Sequence, residues 1–228
     1  MRTTEPPPSR GSLAPSVGLP FYKYHGLGND FIVLDFALRH GELSPAVAAR
    51  TEDALRRVSE PAWVQRVCDR HFGIGGDGVL LVTAPETAGA RARMTVLNAD
   101  GSRPEMCGNG LRCVALHLTR RAGEERAEYT IDTDAGPRLC NIDRAGDEGQ
   151  VTAGLGRAHV AGPVEHSIGG ERLLVTQVSV GNPHAVIFDT HYNETQIDRL
   201  AAELSLRVRG GVNVEFVRPA SGERFEIV

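Results

Sequence analysis

Lysine is almost missing from this sequence: Lys23 is the only one among 25 basic residues, the rest being arginine. Racemases that depend on pyridoxal phosphate carry it as a Schiff base on a lysine, so such chemistry here would have to use Lys23. The four cysteines, Cys68, Cys107, Cys113 and Cys140, form no C-x-x-C pair, which removes the common zinc spacing. Neither a metal nor an organic cofactor is expected. No apolar run approaches the roughly 20 residues of a membrane helix, and the first twenty residues lack the apolar core of a secretory signal. A cytoplasmic protein, with its thiols reduced rather than paired, is the expectation. Aromatic residues are only 5% of the chain, and 29 acidic against 25 basic residues leave a net charge of −4 with no basic block. That balance argues against a nucleic-acid groove and for a small polar substrate.

What is present is an ordinary globular composition long enough for one large or two small domains. Residues 1–20 are rich in Pro, Ser and Gly without hydrophobic period and read as a disordered extension. Beyond them, β-rich runs predict strands at Phe31–Asp35, Val79–Val82, Met94–Leu97, Tyr129–Asp132, Leu173–Val180, Ala185–Phe188 and Val212–Val217. Helices are predicted at Pro45–Arg57, Pro61–His71, Asn109–Thr119 and Glu194–Leu204. The class is α+β.

Two segments recur in the same order. Gly28-Asn29-Asp30-Phe31-Ile32-Val33-Leu34 resembles Gly181-Asn182-Pro183-His184-Ala185-Val186-Ile187, and Gly75-Gly76-Asp77-Gly78-Val79 resembles Gly210-Gly211-Val212-Asn213-Val214. Two similar domains are implied, at 21–135 and 136–228. The step from Gly76 to Cys107, repeated from Gly211, runs past Val228, so no counterpart of Cys107 is expected within these residues. The second domain is expected to be incomplete.

Gly73-Ile74-Gly75-Gly76-Asp77-Gly78 satisfies the G-x-G-x-x-G pattern of dinucleotide sites. That fingerprint needs a strand before and a helix after, the reverse of the order predicted here, so a tight helix-to-strand turn is the better reading. The strongest local signal is Asn98-Ala99-Asp100-Gly101-Ser102 followed by Met106-Cys107-Gly108-Asn109-Gly110, a polar loop leading into a cysteine at a helix start. A helix N-terminus favours negative charge by about 0.3–2 kcal/mol, enough to lower a thiol pKa by at most about 1.5. Only the top of that range gives an appreciable thiolate at neutral pH, so a second helper is expected. The amides at Gly108 and Asn109 could also hold a carboxylate. A buried structural thiol is the simpler reading of an isolated cysteine, but the Asn-Gly chemistry around Cys107 favours a reactive one. Cys68, Cys113 and Cys140 read as core. Asn29, Asn182 and Asn213 are ordinary turn residues if taken singly, whereas their repetition points to a shared site. His184 alone could be a strand-end histidine bonded to backbone.

Together with Gly26-Leu27-Gly28-Asn29-Asp30-Phe31 and Gly181-Asn182-Pro183-His184, these motifs resemble diaminopimelate epimerase over about Phe21 to Val217. The resemblance implies two similar domains, each a mixed sheet wrapped around a central helix, that interconvert LL- and meso-diaminopimelate for lysine and peptidoglycan synthesis without a cofactor. In that family one cysteine from each domain faces the α-carbon, and the resemblance makes Cys107 the first. Asn29, Asn98, Asn182 and Asn213 match substrate-contacting asparagines, Gly108 and Asn109 the carboxylate-holding amides, and His184 a residue that tunes cysteine basicity. Gly78 stands where some members have a substrate-binding glutamine. The family's Glu-Arg-Gly and Ala-Cys-Gly-Thr-Gly segments are not found, and a homodimer is implied. Two other readings are a same-fold isomerase or racemase with another substrate, such as a proline racemase-like or phenazine-biosynthesis-like protein, and a single-cysteine ligand-binding module.

Overall fold

The computed structural model describes residues 19–37, 45–188, 191–208, 211–222 and 224–228. The extension expected at 1–20 lies almost wholly outside the described residues, as does Gly210 of the repeat. A seven-stranded mixed sheet takes its strands in chain order: β1 (Tyr22–Gly26), β2 (Asn29–Asp35), β3 (Gly78–Thr83), β4 (Ala92–Asn98), β5 (Arg126–Asp132), β6 (Arg138–Ala145) and β7 (Glu148–Ala153). Helices α1 (Pro45–Val58) and α2 (Pro61–Cys68) connect β2 to β3, and α3 (Gly108–Ala122) connects β4 to β5.

Helix α3 touches all seven strands, so the sheet wraps around it. This follows from the sequence. Leu111, Val114, Ala115 and Leu118 are fully buried, each large side chain contributing about 1.5–3 kcal/mol by leaving water. Gly123 in the left-handed conformation, φ 72°, ends the helix. Phe31 and Val33 of β2 pack on the α3 side, while Ile32 and Leu34 join Val58, Val64 and Cys68 of α1 and α2 on the other. With both faces covered, β2 and β3 read as continuous apolar runs rather than alternating ones.

A five-stranded sheet follows, built from β8 (His159–Ile168), β9 (Glu171–Ser179), β10 (Pro183–Phe188), β11 (Asn213–Pro219) and β12 (Phe225–Ile227) in the order β12-β11-β10-β9-β8. Helix α4 (Glu194–Arg207), opened by an Asn193/Gln196 capping box, joins the parallel pair β10 and β11. The unit β1-β2-helix-β3-β4 recurs as β9-β10-α4-β11-β12, with an antiparallel, a parallel and an antiparallel pairing in both. The registers also agree: Phe31 pairs with Gly78, and their repeat equivalents His184 and Asn213 pair with each other. Helix α4 buries Ala185 and Ile187. The opposite face of this sheet, equivalent to the one α3 covers, carries exposed Leu174, Phe188 and Ile227.

The structure differs from the sequence reading in three places. The break between sheets falls after Ala153, not at 135, because β6 pairs with β5 and β7 with β6, so residues 136–153 join the first sheet. Helix α2 stops at Cys68 rather than His71, because Asp69 Oδ1 accepts the N–H groups of His71 and Phe72, both at 2.7 Å, and turns the chain. Strands β1, β6, β7 and β8 were not predicted.

Candidate active site

Cys107 is the N-cap of α3, with extended φ −141° and ψ 111°. Its Sγ accepts the N–H of Gly110 at 3.3 Å, and its carbonyl accepts that of Leu111 at 2.9 Å. Glycine at 110 permits this fit, since a Cβ there would lie 2.9 Å from Leu80 Cδ2 and 3.5 Å from the sulfur. The amides of Gly108 and Asn109 belong to the first turn, where a helix supplies no backbone acceptor of its own. Arg112, one turn along, donates from Nη1 to Asn109 Oδ1 at 3.0 Å.

The acidity expected of Cys107 is corrected by its surroundings. Burial pushes the thiol above its ordinary value, and the amides of Gly110 and Asn109 and the charge of Arg112 offset this only in part. A helix end cannot fully compensate when the sulfur sits half-buried against the core. Cys113 and Cys140 are raised further, to about 12 and about 11, by burial. Cys68 is also raised by burial. Access favours Cys107, the one thiol of the four that is not fully buried. Iodoacetamide is expected to label Cys107 first, at a rate still climbing above pH 8 as thiolate forms. Arg112→Met removes the lowering charge and moves that rise to higher pH; first labelling at Cys68 or Cys140 would contradict the assignment.

The expected site residues form a connected set. Gly26, paired with Asn29, lies against Asn109: a Cβ there would be 3.4 Å from Asn109 O. Asn29 Nδ2 donates to Asp77 Oδ2 at 2.6 Å, and the Asp77 carbonyl accepts the N–H of Ala99 at 3.0 Å. Asn98 pairs with Gly78 and closes its loop through Nδ2 to Ser102 Oγ at 2.9 Å. The second sheet joins at Gly181, where φ is 106° and a Cβ would stand 3.1 Å from Met106 Cβ and 2.9 Å from Ala135 Cβ. Asn182 directly follows Gly181, and His184 pairs with Asn213 in the neighbouring strand.

His184 does not bond to Cys107. Its Nδ1 meets Glu215 Oε1 at 2.6 Å and its Nε2 meets Asn182 Oδ1 at 3.1 Å. Asn213 Nδ2 donates to Pro183 O at 3.3 Å. A cavity of about 440 Å³ adjoins His184 and is lined also by His159, His166, Gln177 and Val212, but not by Cys107. Gly78 offers no side chain, and glutamine could not replace it without moving β4, because a Cβ would lie 2.5 Å from Leu97 O. Lys23 Nζ is bonded to Asp30 Oδ2 at 2.6 Å and to the Gly75 carbonyl. Among the described residues no group of three or more His, Cys, Asp or Glu could hold a metal ion, and no helix is long and apolar enough to cross a membrane.

Sequence reasoning missed Glu215, Asp77 and Arg112. Strand periodicity would have found Glu215, which lies two residues beyond Asn213 on the same face as His184. Asp77 stands in the repeated glycine turn, and nothing in that pattern marks its side chain as the partner of Asn29.

The family model described as diaminopimelate epimerase matches residues 21–160. A diaminopimelate epimerase of Gloeothece citriformis is 34% identical over 222 residues, covering 88% of this chain and 72% of that protein. One of Desulforudis audaxviator is 35% identical over 218 residues, covering 89% and 72%. The chain belongs to the diaminopimelate epimerase family. Membership makes it an isomerase of the epimerase class. Diaminopimelate epimerase architecture is shared with more distant structures: a probable proline racemase from Agrobacterium radiobacter K84 superposes with a TM-score of 0.67 at 14% identity, covering 91% of this chain and 68% of that one. A hydroxyproline epimerase from Agrobacterium vitis gives 0.64 at 14% identity over the same shares.

Proposed function

We propose that these residues act on diaminopimelate, with Cys107 as the base on one face of the α-carbon. The observation that carries this is the placement of the Cys107 thiol at the mouth of α3, beside the first-turn amides of Gly108 and Asn109. In this reading those amides and the helix end hold the α-carboxylate, while the Cys107 thiolate takes the α-proton. The electron pair left on carbon is spread into the held carboxylate, whose developing charge the same amides stabilise. A second acid on the opposite face returns a proton and inverts the centre. Cys68, Cys113 and Cys140 are buried in the core and not placed to be that acid. Asn29, Asn98, Asn182 and Asn213 are assigned to the substrate's polar groups. His184, held by Glu215 and Asn182, is assigned to the field around the site rather than to proton transfer with Cys107. The two sheets, joined at Gly181, act as the two domains around the substrate.

The substrate assignment rests on the family match and on a site rich in asparagine, suited to a ligand with two ammonium and two carboxylate groups. Its test is α-deuterium incorporation in heavy water with LL-diaminopimelate, L-proline and trans-4-hydroxy-L-proline supplied separately. Exchange into diaminopimelate alone is the expected outcome. Preferential exchange into either proline would replace the substrate assignment with a same-fold racemase reading.

A further inference from the structure

Behind Asn29 stands an ion network that proton transfer itself does not require. Asp77 Oδ2 accepts from Asn29 Nδ2 at 2.6 Å and from the Asp30 N–H at 2.9 Å. Its Oδ1 accepts from Arg70 Nη2 at 2.8 Å. Arg70 Nη2 also reaches Asp30 Oδ1 at 2.6 Å, and Lys23 holds Asp30 Oδ2 at the same distance. The backbone closes the unit, with Asp77 N–H donating to Asp30 O at 2.8 Å. Arg70 and Lys23 hold the Asp30 carboxyl down at about 2, and bonds from the Asp30 and Asn29 N–H groups and from Arg70 more than offset burial to hold Asp77 low as well.

An ionised carboxylate can only accept hydrogen bonds. Facing one, the Asn29 carboxamide has to turn its NH₂ toward Asp77, which leaves its Oδ1 acceptor on the other side. With the flip state chosen by a fixed charge rather than by the ligand, the corner is preorganised. We propose that Asp77 is a positioning and specificity-determining residue that sets Asn29 to accept a hydrogen bond from a substrate ammonium group, so that the site prefers an amino diacid to the plain diacid of the same length. The proposal rests on the reading of Asn29 as a substrate contact.

Asp77→Leu tests it on the full 228-residue chain. The replacement is close in size but removes the oxygen that Asn29 Nδ2 and the Asp30 N–H share, so no fixed charge orients the Asn29 carboxamide. Calorimetric dissociation constants for LL-diaminopimelate and for pimelate, which has the same carbon chain without ammonium groups, give a preference ratio. A general loss of folding weakens both ligands alike and leaves the ratio unmoved. The expected result is a ratio about two- to tenfold lower in Asp77→Leu, the range of one hydrogen bond that is no longer preorganised. Arg70→Met, which spares the Asp77 acceptor, keeps the wild-type ratio. An unchanged ratio in Asp77→Leu overturns the proposal, as does a wild-type chain that binds both ligands equally. Failure of the wild type to bind either ligand defeats the substrate reading instead. In that case the ¹⁵N-resolved side-chain amide of Asn29 decides the orientation, with slowed proton exchange that Asp77→Leu abolishes supporting it and an unaltered signal refuting it.

Discussion

Replacing Cys107 with alanine lowers α-proton exchange by this chain about 10²- to 10⁴-fold, the contribution of one positioned acid or base. The expectation follows from the geometry. Among the four cysteines only Cys107 lies outside the fully buried set, and only it caps a helix whose first amides can hold the neighbouring carboxylate. Because burial raises its pKa, the rate of the unmutated chain should rise with pH as the thiol ionises, and the alanine variant should lose that dependence along with the rate. Thermal melting of the two proteins checks that the fold is kept, since removing a half-buried sulfur at the helix tip leaves the α3 core intact. Wild-type exchange in the alanine variant would require another base.

The largest loss of stability is expected from Leu111→Ala. Leu111 is wholly buried one turn into α3 and belongs to the cluster that joins the helix to β1–β6. Deleting three carbons there costs about 2–5 kcal/mol, the transfer free energy plus the cavity left behind. A small domain's whole stability is about 5–15 kcal/mol, so the urea midpoint should fall markedly. The same helix presents Cys107, so thiol labelling should lose its selectivity at urea concentrations where the wild type keeps it. An unfolding free energy within about 0.5 kcal/mol of wild type would mean that α3 is not the element around which the first sheet is organised.

The elements legible in the sequence were those with a strong period. Phe31–Asp35 and Val79–Val82 are nearly continuous apolar runs because helices cover both their faces, and the helix predicted at Glu194–Leu204 falls within α4, whose Ile197, Leu200 and Leu204 recur at helical spacing on the buried face. Strands β7 and β8 are mostly exposed along their length, so Glu148–Ala153 and His159–Ile168 carry little apolar alternation. Missing them placed the sheet boundary too early. The repeat was readable to the register, because the pairs Phe31 with Gly78 and His184 with Asn213 preserve the order of the two glycine turns. The site was legible as motifs but not as electrostatics. Helix-end arguments count the dipole at Cys107, whereas the opposing burial comes from the core cluster it packs against, whose residues are distant in sequence.

One measurement tests the central claim most directly: the stereochemistry of deuterium incorporated at the α-carbon of LL-diaminopimelate by these 228 residues in heavy water. A base on one face can return a proton only to that face. The account predicts slow exchange, abolished with Cys107, in which the labelled product keeps the LL configuration and meso-diaminopimelate does not accumulate. Efficient conversion to labelled meso-diaminopimelate would show that another group within these residues serves the opposite face, and the account of Cys107 as the one acid or base acting at the α-carbon would be contradicted.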